Sequence, residues 1–267
     1  MRAEAATTAD PLRAAIAAWA DWYQRMGVLD AVEGPESRAP QDEPAEPPQA
    51  AAVVVPAPRA APASGQRVAQ ARQLAAGCAS LAELAAALER FEGCGLKQTA
   101  TRLCFADGSP NARVMLIGEA PGAEEDRQGK PFVGPSGQLL DRMLAAIGLD
   151  RSAVWITNVV FWRPPGNRPP TAGEIAVCQP FLERQIELLC PRRILFLGGA
   201  GARGLLELTE GVTKLRGRPY LYRPAQGEPI PAAVTFHPAY LLRQPLQKRF
   251  VWRDLLALRR QLAGDGA

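Results

Sequence analysis

Between Val114 and Gly122 the chain reads Val-Met-Leu-Ile and then Gly-Glu-Ala-Pro-Gly. Four consecutive apolar residues describe a strand buried on both faces. The glycine- and proline-rich segment after them is a loop leaving the strand's carboxyl end, where open α/β sheets bind their ligands. The same stretch continues through Glu124, Glu125 and Asp126 to Pro131-Phe132-Val133-Gly134. One buried strand therefore delivers carboxylates, glycines and an aromatic ring to one place. An ordinary strand-to-helix connection has the same outline, but loops held by a rigid scaffold are where binding and catalytic residues concentrate.

From residue 113 onward the periodicity alternates. Strands are predicted at 113–117, 154–159, 193–197 and 233–236, and helices at 136–147, 173–189, 200–208 and 246–262. Thr171 and Glu174 stand at capping-box spacing ahead of the second helix. Such alternation implies a parallel sheet with helices on both faces. Residues 67–91 read as one or two further helices, with Ser80 and Glu83 as a capping box and Gly93-Cys94-Gly95 as the stop. The N-terminal part differs. Residues 10–27 place Leu12, Ile16, Trp19, Tyr23 and Met26 on one helical face. Residues 34–66 contain eight prolines among Ala, Glu and Gln, the composition of an extended, disordered linker, with Val53-Val54-Val55 as an apolar island. The expected organisation is an amphipathic helix (1–33), a linker (34–66) and a globular domain (67–267).

Charge follows the same division. Residues 1–66 carry five Arg against nine Asp and Glu, which leaves 26 basic and 18 acidic groups for the remainder. The excess concentrates in 214–260, where ten Lys and Arg face only Glu228 and Asp254. A basic globular part is suited to a polyanion, although a solvated helix face accounts for residues such as Arg259 and Arg260. Five cysteines without a pairing pattern, no basic-then-apolar leader and no run of 18 apolar residues describe a cytoplasmic chain with reduced thiols and no membrane span.

The remaining strand ends supply the chemistry. The second gives Thr157-Asn158 and then Arg163-Pro164-Pro165-Gly166-Asn167-Arg168. The fourth gives His237, the only histidine, and then Leu241-Leu242-Arg243. Converging on one edge, these residues suit a planar base. A phenyl ring stacks on it, an Asn amide offers one donor and one acceptor to its edge, and a His donates to an oxygen gaining negative charge. A carboxylate orients water or stabilises a cationic sugar. Taken singly, Asn158 is as well explained as a turn former, His237 as a loop histidine and Phe132 as core; their joint placement favours a site. Ser136 and Gly137 open a helix whose amides suit a phosphate. Gly198-Gly199-Ala200-Gly201 follows a strand but lacks dinucleotide spacing and an acid near twenty positions on, so it reads as a tight turn.

Together these motifs resemble the family 4 uracil-DNA glycosylases: Gly118-Glu119-Ala120-Pro121-Gly122 with Glu125-Asp126, Pro131-Phe132-Val133-Gly134, Thr157-Asn158-Val159, Arg163 to Arg168, and His237-Pro238. The resemblance covers roughly residues 90–260. It implies a three-layer α-β-α sandwich around a four-stranded parallel sheet and a monomeric enzyme that removes uracil from DNA by hydrolysing the N-glycosidic bond. Phe132 would stack on the flipped base, Asn158 read its edge, and His237 donate to O2. Gly118, Glu119 and Ala120 would line the pocket, with Glu119 acting more through its backbone than its charge. Glu125 would be the carboxylate for water or sugar. Ser136, Arg163, Arg168 and Arg243 would meet the DNA backbone, and Leu241-Leu242 would enter the duplex.

The family also implies a [4Fe–4S] cluster held by four cysteines. Cys94 and Cys178 match the first and last, while Lys97 and Trp162 stand at the other two positions. Neither replacement ligates iron as a thiolate does, so no cofactor is expected and the cluster's role passes to packing. Other readings are a DNA-binding relative without turnover and a glycosylase for hypoxanthine or xanthine. A zinc deaminase is disfavoured, since H-x-E and P-C-x-x-C are both missing. The N-terminal helix would serve a protein partner.

Overall fold

The structure is a computed structural model that describes residues 63–264 together with Asp21 and Trp22. The linker and valine island expected before residue 63, and all of the helix expected at 10–27 except Asp21 and Trp22, lie outside the described residues. The chain divides into two compact units, Met1–Ala61 and Pro62–Ala267; the second contains the sheet.

Six strands form one sheet: β1 (Asp107–Gly108), β2 (Val114–Gly118), β3 (Val154–Asn158), β4 (Arg193–Leu197), β5 (Pro219–Tyr222) and β6 (Ile230–Thr235), in the order β1-β3-β2-β4-β6-β5. The inner four, β3-β2-β4-β6, are parallel, and β1 and β5 add antiparallel edges. The four strands expected from the sequence are thus the parallel core, and the sheet is wider than expected. Both extra strands are too short to show a hydrophobic period. β5 opens on Pro219, which an edge strand tolerates because one of its sides needs no N–H donor.

The helices are α1 (Ala63–Ala76), α2 (Leu81–Arg90), α3 (Ala123–Gln128), α4 (Pro135–Ala145), α5 (Ala172–Leu189), α6 (Gly199–Leu205), α7 (Val212–Leu215), α8 (Pro238–Arg243) and α9 (Lys248–Gly264). Caps set several of these bounds. Ser80 accepts from the Glu83 amide at the start of α2, and Thr171 and Glu174 form the expected reciprocal box at the start of α5. Gly198 turns the chain from β4 into α6 at φ 97°, which only glycine adopts without strain.

Because successive strand residues face opposite ways, the buried run of β2 feeds two cores. Met115 and Ile117 join Ile194, Phe196, Ala232 and Val234 in a cluster with Leu84, Leu88, Phe181, Leu182 and Ile186 from α2 and α5. Val114 and Leu116 share the other face with Ile156, Leu195 and Leu197, where α4 and α9 bury Leu139, Met143, Val251 and Leu255. Among the described residues no helix is long and apolar enough to cross a membrane. The chain crosses from β3 over β2 to β4, so the strand order reverses beside β2. That reversal opens a crevice at the carboxyl ends of the parallel strands.

Candidate active site

A cavity of about 350 Å³ occupies that crevice, and its lining includes Glu119, Ala120, Glu125, Phe132, Ser136, Asn158, Arg168, His237, Tyr240 and Arg243. The end of β2, the end of β3 and the residues after β6 thus meet, as the motifs predict.

Its floor is built by close approach. Gly118 pairs with Asn158 across β2 and β3. A Cβ on Gly118 would lie 2.4 Å from the Asn158 amide oxygen and 2.5 Å from the Phe132 ring. Any larger residue would push both groups out of position. Asn158 is 1% exposed, and neither its Oδ1 nor its Nδ2 has a hydrogen-bond partner among the described residues. Leaving a buried amide unpaired costs about 1–3 kcal/mol per group, so this side chain is prepared for a ligand with a complementary donor and acceptor.

His237 caps α8, and its Nδ1 accepts from the Ala239 amide at 3.1 Å. In the neutral imidazole that bond leaves the proton on Nε2. Burial, reinforced by the Arg243 charge, pushes the His237 pKa down to about 4. The ring is therefore a neutral donor at physiological pH. It lies 5.5 Å from the Phe132 ring, centroid to centroid.

The two expected carboxylates differ in how they are occupied. Glu125 Oε2 accepts from the Gly122 amide at 3.1 Å, and Oε1 accepts from Val133 and Gly134, each at 2.9 Å. Three of its roughly four lone-pair sites are taken by the backbone. Glu119 is half-buried against the cavity and its carboxylate has no hydrogen bond among the described residues. Asp126 is turned away, accepting from the Thr101 and Arg102 amides. Cys104 donates to the Glu125 carbonyl, and burial, with Asp126 and Glu125 nearby, pushes its thiol up to about 12.

Among the residues expected on DNA, Ser136, Arg168 and Arg243 border the cavity. Arg168 is already paired in bidentate fashion with Glu174, and Arg163 donates to Asn167 Oδ1. Leu241 is fully buried and so faces the core, whereas Leu242 is 43% exposed. Leu246, at 69%, is an exposed apolar residue on the same segment that the motif comparison does not single out. Tyr240 also borders the cavity; as one aromatic in a short helical turn it carries no sequence signal.

Residues 105–256 match the family model described as the uracil DNA glycosylase superfamily. The chain belongs to that superfamily. Within it, the chain is 40% identical over 171 residues to a type-4 uracil-DNA glycosylase of Sulfurisphaera tokodaii, covering 62% of this chain and 77% of that protein. The type-4 uracil-DNA glycosylases of Pyrobaculum aerophilum and Thermotoga maritima are likewise 40% identical, each covering 63% of this chain and 87% of the relative.

The residues at the cluster positions do not fit the cluster that the type-4 resemblance implies. Lys97 Nζ donates to the Glu89 carbonyl and to Glu92 Oε1, both at 2.5 Å. Trp162 is 2% exposed and packs edge-on against Phe161 with centroids 6.5 Å apart. Cys178 donates to Cys94 across 3.9 Å, and that bond together with burial holds Cys178 well above the ordinary thiol range. Among the described residues no group of three or more His, Cys, Asp or Glu is arranged to hold a metal ion.

Proposed function

We propose that this protein hydrolyses the N-glycosidic bond of deoxyuridine flipped out of DNA, releasing uracil and opening base excision repair. The observation that carries the reading is the buried amide of Asn158, without a partner among the described residues, in a cavity it shares with the Phe132 ring and His237. A uracil edge presents an N–H donor and a carbonyl acceptor side by side, which satisfies both amide atoms. Extrusion of the base is required because the bond is out of reach within the stack.

The chemistry then follows from the groups present. As the C1′–N1 bond breaks, its electron pair passes to the uracil ring and negative charge gathers on O2. The neutral His237 donates to that oxygen, an interaction that strengthens as the charge develops. A water adds to C1′ and passes a proton to a carboxylate, which gives it up to solvent as the uracil anion takes one on release. The hydrogen bonds around the two carboxylates favour Glu119 over Glu125 for that water, because Glu119 borders the cavity and its carboxylate has no hydrogen bond among the described residues. Arg243, with Ser136 and Arg168, would hold flanking phosphates, and Leu242 with Leu246 would fill the space left by the base. The reading also makes the protein a cytoplasmic monomer that works without an iron–sulfur cluster, with the N-terminal helix expected within residues 1–33 left for a protein partner.

Uracil release from single- and double-stranded oligonucleotides tests the activity. Wild type is expected to release uracil and Asn158→Ala to lose most of it; equal activity of the two would remove the central observation. Hypoxanthine- and xanthine-containing strands in the same panel define the base. Iron analysis of anaerobically purified protein tests the cofactor reading, which stoichiometric iron would overturn.

A further inference from the structure

We infer that Arg151 is a positioning residue for catalysis, whose guanidinium, held by Asp107 and Asp141, fixes the backbone turn that presents Phe132 to the base. The inference rests on the proposed role of Phe132 as the stacking ring.

Phe132 has φ 55°, in the left-handed region that a bulky residue avoids. Such a conformation persists only when its surroundings over-determine it. Arg151 supplies much of that determination from outside the cavity. Its Nη1 donates to the Phe132 carbonyl at 2.9 Å and its Nη2 to the Pro131 carbonyl at 2.8 Å. The same guanidinium is fixed from behind, with Nε donating to Asp107 Oδ2 at 2.8 Å and Nη1 to Asp141 Oδ1 at 3.0 Å.

The turn is gripped from the other side by Glu125, which accepts from the Val133 and Gly134 amides. The peptide joining Phe132 to Val133 is thus pinned at its oxygen by a cation and at its nitrogen by an anion. Gly137 closes the remaining space: a Cβ there would lie 1.8 Å from the Phe132 oxygen. β1 also gains a purpose, because its pairing with β3 sets Asp107 where Arg151 needs it. Exposed ion pairs commonly contribute little. Here, however, two of the four bonds go to main-chain carbonyls of a strained turn, and only a planar fork can make all four together.

The test uses the full chain labelled with 4-fluorophenylalanine, with the Phe132 resonance assigned by its loss in Phe132→Leu and the other seven phenylalanines as internal controls. In Arg151→Met the Phe132 resonance is expected to move and broaden while the others stay. The kcat/KM for uracil release should fall about 10²-fold, the scale of an ångström's misplacement. In a Phe132→Ala background the same substitution should cost less than about twofold, because a residue acting through the ring has nothing left to act on. An unmoved Phe132 resonance, or a full loss persisting in the Phe132→Ala background, would overturn the inference. Asp141→Asn guards against misfolding, since Asp141 is partly exposed. It should move the same resonance in the same direction by less, and no movement would count against the proposal. Should wild type release no uracil, the uracil reading fails by itself, while the resonance still reports whether Arg151 holds the ring.

Discussion

The imidazole of His237 stands with its centroid 5.5 Å from that of Phe132 and its plane tilted by 31°, although the two are 105 positions apart in the chain. One ring offers a face and the other a fixed N–H. A base lying on the first can be met at its edge by the second. Replacing His237 by Ala should leave the stacking surface and lower kcat by about 10²–10³-fold, the range for removing one oxyanion donor. Single-turnover measurements would separate that loss from weaker DNA binding.

The same histidine makes a pH prediction. Its pKa is lowered from 6.5 to about 4 on folding, so the unfolded chain takes up the proton first. Its contribution to stability is complete above pH 6.5 and is lost as pH falls from 6.5 to about 4, roughly 3 kcal/mol in all at 1.36 kcal/mol per unit. Urea unfolding at pH 7.5 and 4.5 should show this loss in wild type and a smaller one in His237→Gln.

Glu119 and Glu125 should separate cleanly. Glu119→Gln is expected to reduce turnover while leaving the melting temperature within about a degree, because its carboxylate makes no hydrogen bond among the described residues. Glu125→Gln weakens three backbone hydrogen bonds to a charged acceptor, each worth about 1.5–3 kcal/mol, and should lower the melting temperature by several degrees. Thermal melts beside excision assays distinguish the two; equal melting of both variants would remove the distinction.

At Lys97 and Trp162 the stability should reside in the ring and not in the charge. Trp162→Ala empties a fully packed site and is expected to cost about 3–5 kcal/mol. Lys97→Met breaks an ion pair with the largely exposed Glu92 and should cost no more than about 1 kcal/mol. Chemical denaturation of both variants checks the ordering.

Much of this was legible in the chain. The Val114–Ile117 run announced a buried central strand, and Asn158 and His237 could be placed at neighbouring strand ends from alternation alone. The short elements could not. β1 has two residues, β5 four and α8 six, all below the length at which a period shows. The roles of Glu119 and Glu125 were equally hidden. Which of two nearby carboxylates is consumed by amides depends on how residues 122–134 fold back, and spacing does not encode it. Leu241 and Leu242 are indistinguishable as letters, and only the phase of α8 sends one inward. Arg151 belongs to no motif; its importance appears only when the Pro131 and Phe132 carbonyls are seen to point at it.

The order of the strands has a consequence for the chain's synthesis. Translation delivers the stacking ring and the amide early, yet His237 follows β6, which must seat against β4 before the histidine reaches the cavity. β5, made just before β6, has only β6 to pair with. A chain ending short of this region would carry Asn158 and Phe132 but lack His237. On the proposed function, base excision would therefore wait until β6, the last strand of the parallel core, is in place.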